Sequence, residues 1–195
     1  MKSTKLYRSC KHSLDILVAL LLLVPVLPVL LLLFIAIRLD SRGPALYQQK
    51  RIGRFGRTFT IYKLRSMKID TPVLSTEEMH QSQLSPFTRL GPFLRKSNLD
   101  ELPQIFNILK GEMSFVGPRP ALPTQTDVNT LRHQMGVEMA RPGITGLAQV
   151  KGRDDLDTQT KVDFDASYCR GISFKMDVLI MLSTVKAVVT ARGNK

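Results

Sequence analysis

Ile16–Ile37 is a run of 22 residues with no charge and no strongly polar side chain, and it constrains this chain more than any other stretch. At about 1.5 Å per residue, a helix of that length reaches across a hydrocarbon core of roughly 30 Å. The run is too long for the apolar core of a typical signal peptide, and no small-x-small cleavage site follows it. It therefore reads as membrane-embedded. Pro25 and Pro28, near its middle, each remove a backbone donor and crowd the preceding turn. Spanning helices tolerate such a kink, so the flanking charge carries more weight. Lys2, Lys5, Arg8 and Lys11 precede the run, and Arg38, Arg42, Lys50, Arg51, Arg54 and Arg57 follow it. A straight span would leave one basic cluster on the outer side, against the positive-inside tendency. A re-entrant hairpin that enters, breaks at the prolines and returns keeps both clusters on the cytoplasmic face. The expected division is a membrane-associated helix over 1–42 and a cytoplasmic domain over 43–195.

Charge narrows the partners. Lys and Arg total 28 against 16 acids, a net +12, which favours nucleic acid, anionic lipid or a phosphorylated substrate. Residues 44–69 hold seven of the basic residues and no acid. A polybasic surface facing anionic membrane lipids explains many of them. Thr58–Tyr62 has the β-branched and aromatic content of a short strand. Directly after it, Lys63 and Arg65 could serve that surface or face a substrate phosphate. Thr71–Gln83 reads as a polar loop or a short surface helix. Cys10 and Cys169 match no metal or redox spacing, and His12, His80 and His133 match no ligand pattern. All five read as structural or surface residues. Asp154, Asp155 and Asp157 form a charge run, usually a solvated face.

Pro86–Lys96 sets Phe87, Leu90, Phe93 and Leu94 near one helical face, with Arg89, Arg95 and Lys96 beside it, as an interfacial or core-facing helix would. Ile172–Val189 carries apolar residues at helical spacing and reads as a second helix of that kind. Between them lies Asn98–Pro120, which puts the carboxylate pair Asp100–Glu101 ahead of an apolar helical pattern and ends on Gly117-Pro118-Arg119-Pro120. The structural alternative for the pair is a capping box, with Asn98 as N-cap and Glu101 as its partner. That arrangement asks nothing of Asp100. A helix start also suits a carboxylate nucleophile or metal ligand. Arg119 is mounted between two prolines, and Arg141-Pro142-Gly143-Ile144-Thr145-Gly146 repeats the device. A rigidly held guanidinium matches phosphate oxygens with a planar fork of donors. Two acids, two mounted arginines and a membrane segment together point to metal-assisted chemistry on a phosphate ester.

The chain resembles the monotopic bacterial phosphoglycosyl transferases, or bacterial sugar transferases. The likeness runs from the apolar segment through residues 62–68, 95–120, 141–155 and 172–188, almost the whole chain. It implies an α+β, mainly helical fold: a small cytoplasmic catalytic domain with a re-entrant N-terminal helix hairpin and interfacial amphipathic helices. It also implies transfer of a sugar 1-phosphate from a UDP-sugar to undecaprenyl phosphate, with release of UMP, at the inner (cytoplasmic) membrane of a bacterium. Such a step initiates capsule, O-antigen, exopolysaccharide or glycoprotein glycan assembly. By position, Asp100 matches the aspartate nucleophile and Glu101 the neighbouring acid associated with Mg²⁺. Lys63, Arg95, Arg119 and Arg141 match basic positions near the phosphates or supporting the dyad. Pro28 matches the helix-breaking proline. Leu27 departs from the serine often found before that proline, Pro25 is additional, and Leu147 stands where many members carry Trp.

The residues fit this chemistry. Attack by Asp100 on the sugar-proximal phosphorus would give an acyl phosphate, and the lipid phosphate would then attack that intermediate. Mg²⁺ and the arginines would neutralise and align the phosphates. Residues 68–72 and 146–155 resemble capsule-type members that use N-acetylated amino sugars, so that donor is expected ahead of a plain UDP-hexose. A rival class is a non-enzymatic, membrane-tethered module that binds nucleic acid or anionic lipid through its basic surface. It leaves Asp100–Glu101 without a role, and the chain has no recognisable nucleic-acid motif. No nucleic-acid partner is therefore expected, and an oligomer is compatible with the reading.

Overall fold

The computed structural model describes residues 2–69, 86–152 and 155–190. In chain order it comprises helix α1 (Lys2–Asp40), strands β1 (Leu46–Ile52) and β2 (Thr58–Leu64), helix α2 (Gly91–Lys96), a 3₁₀ helix (Leu99–Gln104) and helix α3 (Ile105–Leu109). Strand β3 (Ser114–Val116), helix α4 (Thr126–Gln134), strand β4 (Gly143–Thr145) and helices α5 (Leu147–Lys151), α6 (Thr158–Gly171) and α7 (Phe174–Val189) complete it. The fold is α+β and mainly helical, as expected.

The apolar run is where expectation and structure differ. The expected break at the prolines is not confirmed: α1 continues through Pro25 and Pro28 as one 39-residue helix. Both prolines are exposed, so their rings face away from the domain and the packed face is uninterrupted. On that face Ala19, Leu23 and Val26 meet Ile61, Ile105, Ile108 and Met113. Further along, Leu30, Leu33 and Ile37 meet Ala45, Leu64 and Leu94. The three- and four-residue steps between these positions are those of one helical stripe. The other face is bare: Leu20, Leu21, Val24, Leu31, Leu32 and Ile35 are all at least half exposed. Only 11% of the most apolar window is buried. A core helix of a soluble protein would be mostly covered.

Both ends of α1 are tied to the domain. Near the start, Arg8 donates to the Cys169 carbonyl (2.6 Å), and Lys11 and Tyr7 each donate to Asp177 Oδ2 at 2.6 Å. Asp177 is 2% exposed, and its Oδ1 lies 2.8 Å from the Tyr168 hydroxyl. At the far end, Asp40 accepts from the Leu90 N–H at 3.2 Å, and Arg65 donates to the Ser41 and Arg42 carbonyls.

The hairpin β1–β2 pairs antiparallel from Leu46↔Leu64 to Ile52↔Thr58. The expected strand is present and runs two residues further, which brings Lys63 into it. Pro86–Lys96 is helical only from Gly91 onward. Phe87 instead bridges to Met67, and a Cβ on Gly91 would stand 2.0 Å from the Ser66 carbonyl, so the chain enters this helix through a contact open only to glycine. Leu94 turns inward and Phe93 outward. In α7, capped by Ser173, Met176 and Ile180 pack on Val116 and Tyr168, while Phe174, Leu179, Leu182 and Val185 are exposed. Asp157 is explained locally: its side chain caps α6 by accepting from Thr160 N–H at 2.9 Å. Thr71–Gln83, His80 and Asp154 lie outside the described residues.

Candidate active site

The capping box does not form. Asn98 adopts a left-handed conformation (φ 55°) and makes no side-chain cap, and its carbonyl accepts from Glu101 N–H at 3.1 Å. The Glu101 carboxylate turns to two cations instead: Lys63 Nζ lies 2.6 Å and an Arg119 Nη 3.1 Å from the same Oε1. Burial alone would raise the Glu101 pKa, but Arg119 and Lys63 outweigh it and bring the carboxyl down to about 2. Glu101 is thus ionised at any working pH.

Asp100 experiences the opposite balance one residue earlier. It is 6% exposed, and its Oδ1 is buried with no hydrogen-bond partner among the described residues. Burial pushes its pKa up. Lys63, Arg95 and Arg119 oppose that push, the neighbouring Glu101 charge adds to it, and the net direction is upward. Two adjacent carboxylates therefore have divided properties, one locked as an anion and one buried with an Oδ1 that no donor meets among the described residues. Such divergence marks sites built for chemistry.

The mount of Arg119 is tertiary as well as local. Strand β3 pairs in parallel with β4, Ser114↔Gly143 and Val116↔Thr145. Gly117 N–H donates to Thr145 O (2.8 Å) and Gly143 N–H to Pro118 O (2.9 Å). A Cβ on Gly117 would come within 2.3 Å of the Arg141 carbonyl, and one on Gly146 within 2.3 Å of the Gly117 carbonyl. The two Pro/Gly motifs are thus one device, packed backbone to backbone. Arg132 of α4 braces it from behind, donating to the Arg119 carbonyl (2.8 Å) and to Asp165 Oδ2 (2.6 Å).

The remaining expected site residues divide. Arg95 is exposed, lies 5.3 Å from the centre of the Phe87 ring, and its charge lowers the Asp100 pKa. Arg141 is held differently: its Nε donates to the Gly111 carbonyl at 2.9 Å, and the charges that act on it are Arg54 and Asp15. The structure thus gathers Asp100, Glu101, Lys63 and Arg119, sets Arg95 at the edge, and directs Arg141 to the α3–β3 turn.

Two positions that shape the candidate site do not stand out in the sequence. Asn107 is fully buried and locks α3 to β2: its Nδ2 donates to Thr60 O (2.7 Å) and its Oδ1 accepts from Tyr62 N–H (3.1 Å). That fixes the dyad beside Lys63. Arg51 is the other. It donates to the Pro120 carbonyl (3.2 Å) and, with Lys63, Gln104 and Arg119, lines a small cleft. Strand alternation in Leu46–Ile52 is the available signal, because it separates Arg51 from the exposed Lys50.

Among the described residues, no three His, Cys, Asp or Glu side chains cluster as a metal cage. A Mg²⁺ site made of one or two carboxylates plus substrate phosphates needs no such cage, and the ionised Glu101 fits it.

Comparison with known proteins gives the family. The bacterial sugar transferase family model matches residues 6–191. The undecaprenyl-phosphate galactose phosphotransferase of Salmonella typhimurium is 36% identical over 95% of this chain and 42% of its own length. The UDP-N-acetylgalactosamine-undecaprenyl-phosphate N-acetylgalactosaminephosphotransferase of Aeromonas hydrophila is 37% identical over 97% of this chain and 46% of its own. The exopolysaccharide production protein ExoY of Sinorhizobium fredii is 34% identical over 94% of this chain and 87% of its own. The chain spans less than half the length of the first two. A match that covers nearly every described element, including the dyad and both Pro/Gly motifs, means that this chain belongs to the bacterial sugar transferase family.

Proposed function

We propose that the chain is a phosphoglycosyl transferase that moves a sugar 1-phosphate from a UDP-sugar to undecaprenyl phosphate. The observation that carries this is the divided dyad: a buried Asp100 whose Oδ1 has no hydrogen-bond partner among the described residues, beside a Glu101 held ionised by Lys63 and Arg119. An Asp100 carboxylate oxygen attacks the sugar-proximal phosphorus. The bond from that phosphorus to the bridging oxygen breaks, and UMP leaves with the bridging oxygen. An oxygen of undecaprenyl phosphate then attacks the same phosphorus, releasing Asp100 and forming the diphosphate-linked sugar. Asp100 must be ionised, so no general base is needed. Arg119 and Lys63 bind and orient phosphate oxygens, and Arg95 and Arg141 are assigned supporting positive charge. Glu101 would hold Mg²⁺ together with the donor phosphates, where the ion supplies charge neutralisation.

The same reading makes the protein monotopic at the inner membrane of a bacterium, with the catalytic domain facing the cytoplasm. Because α1 is tied to the domain at both ends, a helix crossing the bilayer would have to separate from it at one end. Immersing the bare face in one leaflet instead covers the exposed leucines and keeps both basic flanks on one side, which is the topological content of a re-entrant segment. The expected donor is an N-acetylated amino sugar. The named relatives include one for galactose and one for N-acetylgalactosamine, so a screen of UDP-sugars chooses between them.

The test is UMP release from UDP-sugars by detergent-held protein with undecaprenyl phosphate. Labelled donor without acceptor should leave label on a peptide containing Asp100. No turnover with any donor, together with salt-sensitive nucleic-acid binding, would favour the tethered-module class.

A further inference from the structure

Arg51 is a desolvated cation whose hydrogen bonds among the described residues go only to neutral groups. Its Nη2 donates to Gln49 Oε1 (2.6 Å) and its Nη1 to the Pro120 carbonyl (3.2 Å). Its Nε is buried with no hydrogen-bond partner among the described residues. Burial, followed by the repulsion of Arg119, draws its pKa down to about 10, so it remains charged at neutral pH. Register explains its position: Arg51 stands opposite Phe59 and Gln49 opposite Ile61, on the face of the hairpin that also carries Lys63. The cleft there is lined by Arg51, Ile61, Lys63, Gln104, Arg119 and Pro120. Three cations share it, and the ionised acid they act on is Glu101, already engaged by Lys63 and Arg119. An arginine needed only to tie two neutral oxygens would gain nothing from being half-buried against like charge. An arriving anion relieves both the repulsion and the unmet donor.

We propose that Arg51 binds a phosphate oxygen of a substrate, completing with Lys63 and Arg119 a three-cation cradle beside the Asp100–Glu101 dyad. The inference rests on the phosphoglycosyl transferase reading and adds a binding residue to it. The oxygen belongs either to the donor diphosphate or to the lipid phosphate, and the two sources are separable by experiment.

Binding of UDP and of a short-chain polyprenyl phosphate is measured by titration calorimetry on the full chain in nanodiscs, for wild type, Arg51→Met, Arg51→Lys and Lys50→Met. Arg51→Met should weaken one ligand about tenfold to a hundredfold, the effect of one lost charge-assisted contact. Arg51→Lys, which keeps the charge but loses the fork, should fall between it and wild type. Lys50→Met, on the same strand but exposed, should match wild type. Weakening of UDP identifies the donor diphosphate, and weakening of polyprenyl phosphate alone identifies the acceptor. If Arg51→Met does not fold, the intermediate loss in Arg51→Lys decides the question in its place. Wild-type affinity for both ligands in the Arg51 variants overturns the cradle while leaving the enzyme reading intact. So does a change seen only with phosphatidylglycerol vesicles. A wild-type chain that binds neither ligand and turns over no UDP-sugar removes both.

Discussion

Replacing each carboxylate of the dyad by its amide should move stability in opposite directions. Asp100 is 6% exposed, and its buried Oδ1 has no hydrogen-bond partner among the described residues. Its folded pKa is raised, so the folded state binds the proton more tightly than the unfolded chain does. Its contribution is therefore favourable below the unfolded pKa and is lost as pH rises through the folded one. At neutral pH the charge is a net cost. A buried acceptor without a partner costs about 1–3 kcal/mol. The amide of Asp100→Asn leaves part of that penalty in place, so a gain of about 1 kcal/mol is expected, or about 2–4 °C in Tm for a chain of this size. Glu101 behaves inversely. Its pKa is depressed to about 2, so its contribution is present above its unfolded value near 4.5 and is lost as pH falls toward 2. Glu101→Gln leaves the largely buried Lys63 without its carboxylate and should cost about 3–5 kcal/mol. Both variants should be inactive, Asp100→Asn because a neutral amide cannot form the acyl phosphate. The assay pairs scanning calorimetry in detergent with UMP release. Full activity in Asp100→Asn refutes the nucleophile. An inactive Asp100→Asn that melts several degrees below wild type refutes the account of its burial.

Three further outcomes follow from the same geometry. In the proposed mechanism ionised Asp100 is the reactive form, so kcat/KM should fall on the acid side with a midpoint raised from the ordinary aspartate value, and Arg95→Ala should move that midpoint further up in a pH–rate profile. Arg132→Lys keeps a cation beside Asp165 but gives up the donor to the Arg119 carbonyl; steady-state kinetics should show kcat/KM reduced by about tenfold, mainly through KM, with a small change in Tm. Single cysteines at Lys5 and at Arg42, in a chain with Cys10 and Cys169 replaced, should both resist impermeant labelling from the periplasm, and labelling of either would rule out the monotopic placement.

What could be read from the sequence was what is local. The Pro/Gly mount of Arg119, strand β2 and the amphipathic α7 follow from turn chemistry and periodicity within a few residues. The rest depends on distant partners. The Asn98–Glu101 spacing satisfies a capping box on paper, but Lys63 and Arg119 offer Glu101 charged partners that a backbone N–H cannot match, and tertiary electrostatics prevail. The glycines at 117, 143 and 146 read as turn residues, yet their role is the close approach of two motifs far apart in the chain. Arg51 was hidden by composition: in a stretch of seven cations, nothing but strand alternation distinguishes this half-buried, cleft-lining one from the exposed Lys50 beside it. The unbroken α1 was hidden for a related reason. The breaking tendency of Pro25 and Pro28 is intrinsic to the chain, whereas the packed stripe that keeps the helix continuous past them is supplied by residues from 45 onward.

That stripe also links the two halves of the proposed function. Leu99 and Leu102, which flank Asp100–Glu101, pack in the same cluster as Leu30 and Ile37 of α1, and Ile105 and Ile108 of the next turn pack around Ala19. The dyad is thus mounted directly on the helix whose opposite face is bare leucine. In a chain anchored elsewhere, the height of the nucleophile above the lipid would be set by a flexible tether. In the proposed monotopic placement it would be set by the packed cross-section of one helix, roughly 10 Å. A polyprenyl phosphate carries its reactive oxygens at the headgroup level, so a helix lying in that layer delivers Asp100 to them without further motion. On this reading, the apolar segment is the floor of the active site as well as its anchor. Replacing its inward residues, Leu30 or Ile37, by alanine should lower turnover with the lipid acceptor more than it lowers labelling of Asp100 by donor alone, whereas an anchor-only role would leave the ratio of the two unchanged.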